Sequence, residues 1–244
     1  MFFLINCLKI IFLLGFLVFI HEGGHFLVAK LCKVKVKQFA IGFGPSIFEI
    51  QGKETKYALR LIPLGGFVSM EGEDEESDDE RSFTKASIPK RIAIAAAGAL
   101  VNIIFGVIAF FILVLIVYKD VGTAFSASGN FILNIFESLK MLFTGNIGVE
   151  DLSGPIGIST MVTKAVGIIN YVYLIALVSV SLGITNLLPI PALDGGKILI
   201  LIVEAIRKKP LKQETEIKIQ LIGFSILIAI SIFVTYNDIL RIVH

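Results

Sequence analysis

Charge is scarce in this chain. Asp, Glu, Lys and Arg make up 17% of its 244 residues, where a soluble domain carries about 25%. That shortage excludes an ordinary water-facing surface. The apolar share is 55% and mean hydropathy is +0.86, which places the chain among multi-spanning membrane proteins. Net charge is only +2, too little to argue for nucleic acid as a partner. Cysteine is nearly absent: Cys7 and Cys32 are the only two. If residues 1–31 form one helix, these two lie roughly 37 Å apart at about 1.5 Å per residue. That separation excludes a bridge between them. Neither shows CxxC spacing, so both read as free thiols and not as metal ligands. The first apolar run also lacks a small-residue cleavage site. It is longer than the roughly 7–15 residues of a signal-peptide core, so it reads as retained.

What is present is long apolar runs. A membrane span needs about 20 such residues. Four candidates occur, at about 2–31, 91–118, 168–206 and 217–236. The third is too long and is interrupted by Pro189 and Pro191. Basic residues fix an orientation. Lys30 to Arg91 holds 11 of them, Lys119 to Lys164 holds 3, and Arg207 to Lys218 holds 5. The positive-inside rule then puts the first and third connections in the cytoplasm and both termini outside. Within the first connection, residues 33–70 suggest a small β-element. Lys33-Val-Lys-Val-Lys37 alternates with period two, Tyr57 to Ile62 could pair with it, and Gly65-Gly66 marks a turn or close approach. Residues 71–80 carry dense like charge and read as a solvated acidic linker. Residues 131–143 place apolar side chains on one helical face, as expected for a helix lying on the outer leaflet.

The first span carries the chemistry. It contains His21-Glu22-Gly23-Gly24-His25. Residues four apart on a helix share a face, so His21 and His25 can hold one zinc ion. Glu22 is one step round from His21, placed to reach a water on the metal without ligating the metal itself. Zinc lowers the pKa of such a water towards about 7, and Glu22 would take its proton and pass it to the leaving amine. A zinc enzyme site needs a third ligand and an open fourth position. His244 is the only other histidine and falls on the far side by the topology above. Asp194 is the alternative, beside Pro189 and Pro191 in Asn186-Leu-Leu-Pro-Ile-Pro-Ala-Leu-Asp-Gly-Gly196. A membrane helix broken by proline is tolerated where it lines a cavity, and a carboxylate at such a break needs a partner. Glu204, nearer the cytoplasmic end, reads as interfacial.

These motifs resemble the site-2 protease family of intramembrane zinc metalloproteases, in particular the bacterial regulator-of-sigma-E-protease type. The resemblance rests on His21 to His25, on Asn186 to Gly196, and on Leu152-Ser-Gly-Pro-Ile-Gly157. Weaker matches are Gly42 to Pro45, Pro63 to Phe67, and Ala97-Gly-Ala-Leu-Val-Asn102. It implies zinc on His21, His25 and Asp194, and Glu22 as the catalytic acid/base. It implies that Asn186 helps handle substrate and that Asn102 lies near the site; interhelical hydrogen bonding is the alternative for both. Relatives of this type carry one or two PDZ domains between the second and third spans. Here Tyr118 and Leu152 are too close for one. Ala124 to Gly129 is small and polar and reads as a linker, so a deletion near 119–130 stands beside a naturally PDZ-less arrangement.

The resulting expectation is an all-α membrane protein with four transmembrane helices and a small membrane-associated β-element between spans 1 and 2. It would sit in the inner (plasma) membrane with its active site towards the cytoplasm. It would hydrolyse peptide bonds within single-span membrane proteins, such as anti-sigma factors or remnant signal peptides. An exposed edge of the β-element, with Gly66 in contact, could receive an unwound substrate by strand addition. The alternative is a zinc-binding membrane transporter without hydrolysis, because intramembrane ligands also mark ion paths.

Overall fold

The protein is described by a computed structural model covering residues 2–73, 75, 77–146 and 154–243. The elements are α1 (Phe2–Leu31), β1 (Val36–Gln51), β2 (Lys56–Met70), α2 (Ile88–Tyr118), α3 (Val121–Phe143), α4 (Pro155–Lys164), α5 (Gly167–Asn186), α6 (Asp194–Arg207) and α7 (Gln213–Val243). Four helices are long and apolar enough to cross a membrane: Leu4–Leu31, Ile88–Tyr118, Gly167–Asn186 and Glu214–Arg241. The third expected span is therefore shorter than 168–206. It stops at Asn186, because Pro189 and Pro191 supply no backbone donor to continue it. A tight turn follows, with Ala192 at φ 74°. The chain then restarts as a separate helix whose first residue is Asp194.

The chain forms two compact units. One comprises Cys7–Asn102 and Leu182–Gly223, and the other comprises Met1–Asn6, Ile103–Ser181 and Phe224–His244. All seven candidate site residues belong to the first. Its small core joins Ala29, Val34, Val36, Met70, Phe83 and Ile94. The end of α1, both strands and the start of α2 are thus packed on one another.

β1 and β2 pair antiparallel with several register shifts. Val36–Ile41 lies against Gly66–Met70, and Ser46–Gln51 against Lys56–Arg60. Gln38–Ile41 has second partners in Lys56–Leu59. Among the described residues Gly66–Met70 pairs on one side only, which makes it a free edge. The far part of the hairpin is apolar and exposed, at Phe43, Ile47, Phe48, Leu59 and Leu61. β1 begins at Val36, so Lys33 and Lys35 precede the strand. Lys33 sits in a turn at φ 65°.

The acidic stretch is not a free linker. Lys35 Nζ lies 2.9 Å from Asp79 and 3.3 Å from Glu71. Lys37 pairs with Glu75, and Lys197 with Glu73. Backbone bonds add to this: Glu71 N–H donates to Lys35 O, and Phe83 N–H to Glu71 O, at 2.9 and 2.7 Å. Like charges do repel, but facing lysines compensate them here.

In the second unit, α3 starts ten residues before the expected 131. The Asp120 carboxylate accepts from Thr123 N–H at 2.6 Å and caps it. Ala124 to Gly129 is helical and not a linker, with Ala124 and Ser128 buried. Phe131 stacks on Phe110 at 4.2 Å, and Phe125 meets Phe111 edge-on at 4.9 Å. The first half of α3 thus packs back on the end of α2. Buried Asp238 accepts from Gly154 N–H and Gly157 N–H at 3.0 and 2.8 Å, which fixes the start of α4. Leu152, Ser153 and His244 lie outside the described residues.

Candidate metal centre

α1 presents His21 and His25 one turn apart, and α6 brings Asp194 to them. His21 Nε2 lies 3.2 Å from Asp194 Oδ2, and His25 Nε2 lies 3.5 Å from Asp194 Oδ1. The two Nε2 atoms are 3.3 Å apart. Among the described residues this is the one group of three that could share a metal ion.

The triangle fits zinc. Four ligands at about 2.0–2.1 Å in a tetrahedron lie about 3.3–3.4 Å from one another; the two Nε2 atoms stand 3.3 Å apart, and each has one oxygen of the Asp194 carboxylate 3.2 or 3.5 Å away. Asp194 Oδ2 is buried and accepts no hydrogen bond. A buried carboxylate oxygen so placed is costly unless a cation serves it. Two nitrogens and one oxygen are also the donor chemistry of a catalytic zinc site.

The imidazoles are held from behind by α2. His25 Nδ1–H donates to Ile94 O at 2.8 Å, which leaves Nε2 of the neutral ring with its lone pair. His21 Nδ1 lies 3.4 Å from the side-chain amide of Asn102, a fully buried residue. Gly98 sits between them. A Cβ there would collide with His25 Nε2 and come 2.9 Å from His21 Cδ2. Only a residue without a side chain lets α2 approach so closely.

A cavity of about 220 Å³ opens on this triangle. His21, Glu22, His25 and Asp194 line it, together with Gly66, Phe67, Val68 and Met70 of the free sheet edge. A Cβ on Gly66 would be 3.0 Å from Glu22 Cγ and 2.8 Å from Ala40 O, so its lack of a side chain lets the edge strand reach Glu22. Asn186 ends α5, half-buried, and is not among the residues around this cavity. Asn102 touches His21 from outside the cavity.

Sequence reasoning missed several neighbours. Glu204 is buried and paired. It is 3% exposed and bonds Arg91 at 2.8 Å and Leu211 N–H at 2.9 Å. This pair ties α6 to the start of α2, one turn before Ile94. Lys197, one turn after Asp194, lines the cavity beside Glu73. Its position directly after Asp194-Gly-Gly was the only available signal. Ile94 contributes a backbone oxygen, which no residue type announces.

Comparison with known proteins agrees with this geometry. The profile of peptidase family M50 matches residues 9–230. A Clostridium acetobutylicum protein provisionally named a zinc metalloprotease is 29% identical over 96% of this chain and 97% of its own length. The zinc metalloprotease RasP of Bacillus licheniformis is 25% identical over 95% and 98%. The regulator of sigma-W protease RasP of Bacillus subtilis is 26% identical over 95% and 97%. These alignments run over 329, 412 and 410 positions, so the relatives carry internal residues without counterpart here. With nearly its whole length matched, the chain belongs to peptidase family M50.

Proposed function

We propose that this protein is a multi-pass intramembrane zinc peptidase that holds its metal on His21, His25 and Asp194 and uses Glu22 as general acid/base. The observation that carries the reading is the cluster of donor atoms, the two Nε2 atoms 3.3 Å apart with the Asp194 oxygens 3.2 and 3.5 Å from them, its histidines in a helix apolar enough to span a membrane. A peptidase family match supports it, and the transporter alternative finds no support there.

When bound, zinc supplies Lewis acidity that polarises a carbonyl and acidifies water. The chain supplies the rest. Glu22 lines the cavity beside the two histidines, where its carboxylate can take a proton from water and return it to the departing amine. The edge Gly66–Met70 offers unpaired backbone groups along the same cavity. An extended substrate segment adding to that edge would have its scissile bond beside Glu22. This matters for a helical substrate, whose carbonyls are otherwise held in its own hydrogen bonds.

Substrates in this reading are single-span membrane proteins, with anti-sigma factors and remnant signal peptides as the two proposed groups. The Bacillus subtilis relative's name favours the first. The basic-rich connections support cytoplasmic placement of the site, with both termini outside. We also propose that no PDZ domain interrupts this chain. Only Lys119 and Asp120 separate α2 from α3, which supports this arrangement over the domain-bearing form.

The test is Glu22→Gln in the purified, reconstituted protein. Zinc content should stay at one per chain while cleavage of a membrane-embedded peptide falls by about 10²–10⁴-fold. Undiminished cleavage would remove Glu22 from the mechanism.

A further inference from the structure

The α2 face behind the metal centre repeats every fourth residue: Ile94, Gly98, Asn102. Each meets the histidine pair. Ile94 O accepts from His25 Nδ1–H at 2.8 Å. Gly98 leaves room for both rings. Asn102 Nδ2 lies 3.4 Å from His21 Nδ1, and a half-turn of the amide about its Cβ–Cγ bond puts Oδ1 in that place. α2 therefore reads the outer nitrogen of each ring, and the helix contact is a template for two imidazoles.

The two ends of an asparagine amide have nearly equal size and opposite chemistry. With nitrogen towards His21, the amide donates to Nδ1, and the ring proton must sit on Nε2. With oxygen towards His21, Nδ1–H donates and Nε2 keeps its lone pair. Only the second arrangement lets Nε2 bind a metal. Asn102 is fully buried, so bulk water does not take its place as acceptor.

We propose that Asn102 is a positioning residue for zinc: its amide oxygen accepts from His21 Nδ1–H, fixing the tautomer and aiming Nε2 into the triangle. His25 receives the same service from the Ile94 carbonyl. The inference rests on the zinc reading above and adds a role that acts through His21 and not on substrate. It also separates the two histidines. His25 is held by backbone, which mutation of Ile94 leaves in place. His21 depends on a side chain and can be detuned alone.

The experiment measures zinc affinity by chelator competition for wild type, Asn102→Leu and Asn102→Asp, with cobalt-substituted absorption spectra as a second readout. Leu has similar bulk and no acceptor; Asp keeps an acceptor oxygen. We expect Asn102→Leu to weaken zinc binding by about 10–100-fold and to alter the cobalt bands, with cleavage partly recovered in excess zinc. Asn102→Asp should bind zinc within about threefold of wild type. If Leu binds zinc as tightly as wild type, or if Leu and Asp weaken it equally, Asn102 serves only helix packing and the inference is overturned. Should Asn102→Leu fail to fold, Asn102→Asp decides alone: a loss above tenfold overturns the inference. Wild type that binds no zinc, or whose binding survives His21→Ala, would instead overturn the reading beneath it.

Discussion

The proposed site draws its ligands from two regions built in opposite ways. His21, Glu22 and His25 lie in one unbroken helix, α1, where helical spacing alone puts both imidazoles on a common face. Asp194 is the first residue of α6, after a chain break at Asn186 and a turn with a left-handed alanine. Contacts along α6 aim it: Gly195 and Gly196 sit close against the backbone of Leu187, Leu188 and Ile190, Lys197 pairs with Glu73, and at the far end Glu204 is clamped by Arg91. The lesson is that the histidines are placed by secondary structure, whereas the carboxylate is placed by a tertiary lock.

Removing a ligand is the strongest way to test that contrast. His25→Ala and Asp194→Ala should each abolish stoichiometric zinc and cleavage, seen by metal analysis and peptide assay. Equal losses would show that both regions serve one ion; retention of full zinc by Asp194→Ala would detach α6 from the centre.

Breaking the lock comes next. Arg91→Leu leaves Glu204 charged and buried, which costs about 3–5 kcal/mol. Thermal unfolding should fall accordingly, and zinc affinity should fall because Asp194 is released. The double variant Arg91→Leu with Glu204→Leu should recover most of the stability. If the single variant loses no zinc affinity, the lock does not aim Asp194.

The smallest effect concerns acidity. Backbone N–H of Arg81 and then Lys35 hold the Asp79 carboxyl below its usual range, and the Ser77 hydroxyl and then Lys35 do so for Glu71. Carboxylates lowered in the folded state stabilise it fully above their unfolded pKa of about 4, and that contribution is lost as pH falls further. Amide protection factors, taken against the intrinsic exchange rate at each pH, should therefore be higher at pH 7 than near about pH 3 for residues 71–73 and 77–85. These groups are exposed and screened, so zinc should be unaffected by the loosening itself. Unchanged protection factors at the lower pH would show that backbone bonds alone hold the stretch.

The chemistry was legible because it depends on spacing: His21 and His25 at i and i+4, and an aspartate beside two prolines. The spans were legible as apolar runs. Pro189 and Pro191 announced a break, yet the sequence could not say that the helix resumes at Asp194. The pairing of Glu204 was not legible because its partner is 113 residues away. The lysines that face the acidic stretch were not legible from its local charge density, because Lys35, Lys37 and Lys197 lie outside it. Ile94 was invisible because it acts through its backbone.

Gly24 fixes one more property of the molecule. A Cβ there would come within 2.7 Å of Ala97 O, so the two leading membrane helices touch backbone to backbone beside the histidines. No peptide can slip between them without prising them apart. The cavity at the histidines is bounded instead by the unpaired rim of the hairpin and by the helix that carries Asp194 and Lys197, so substitutions on that rim alter the walls around Glu22.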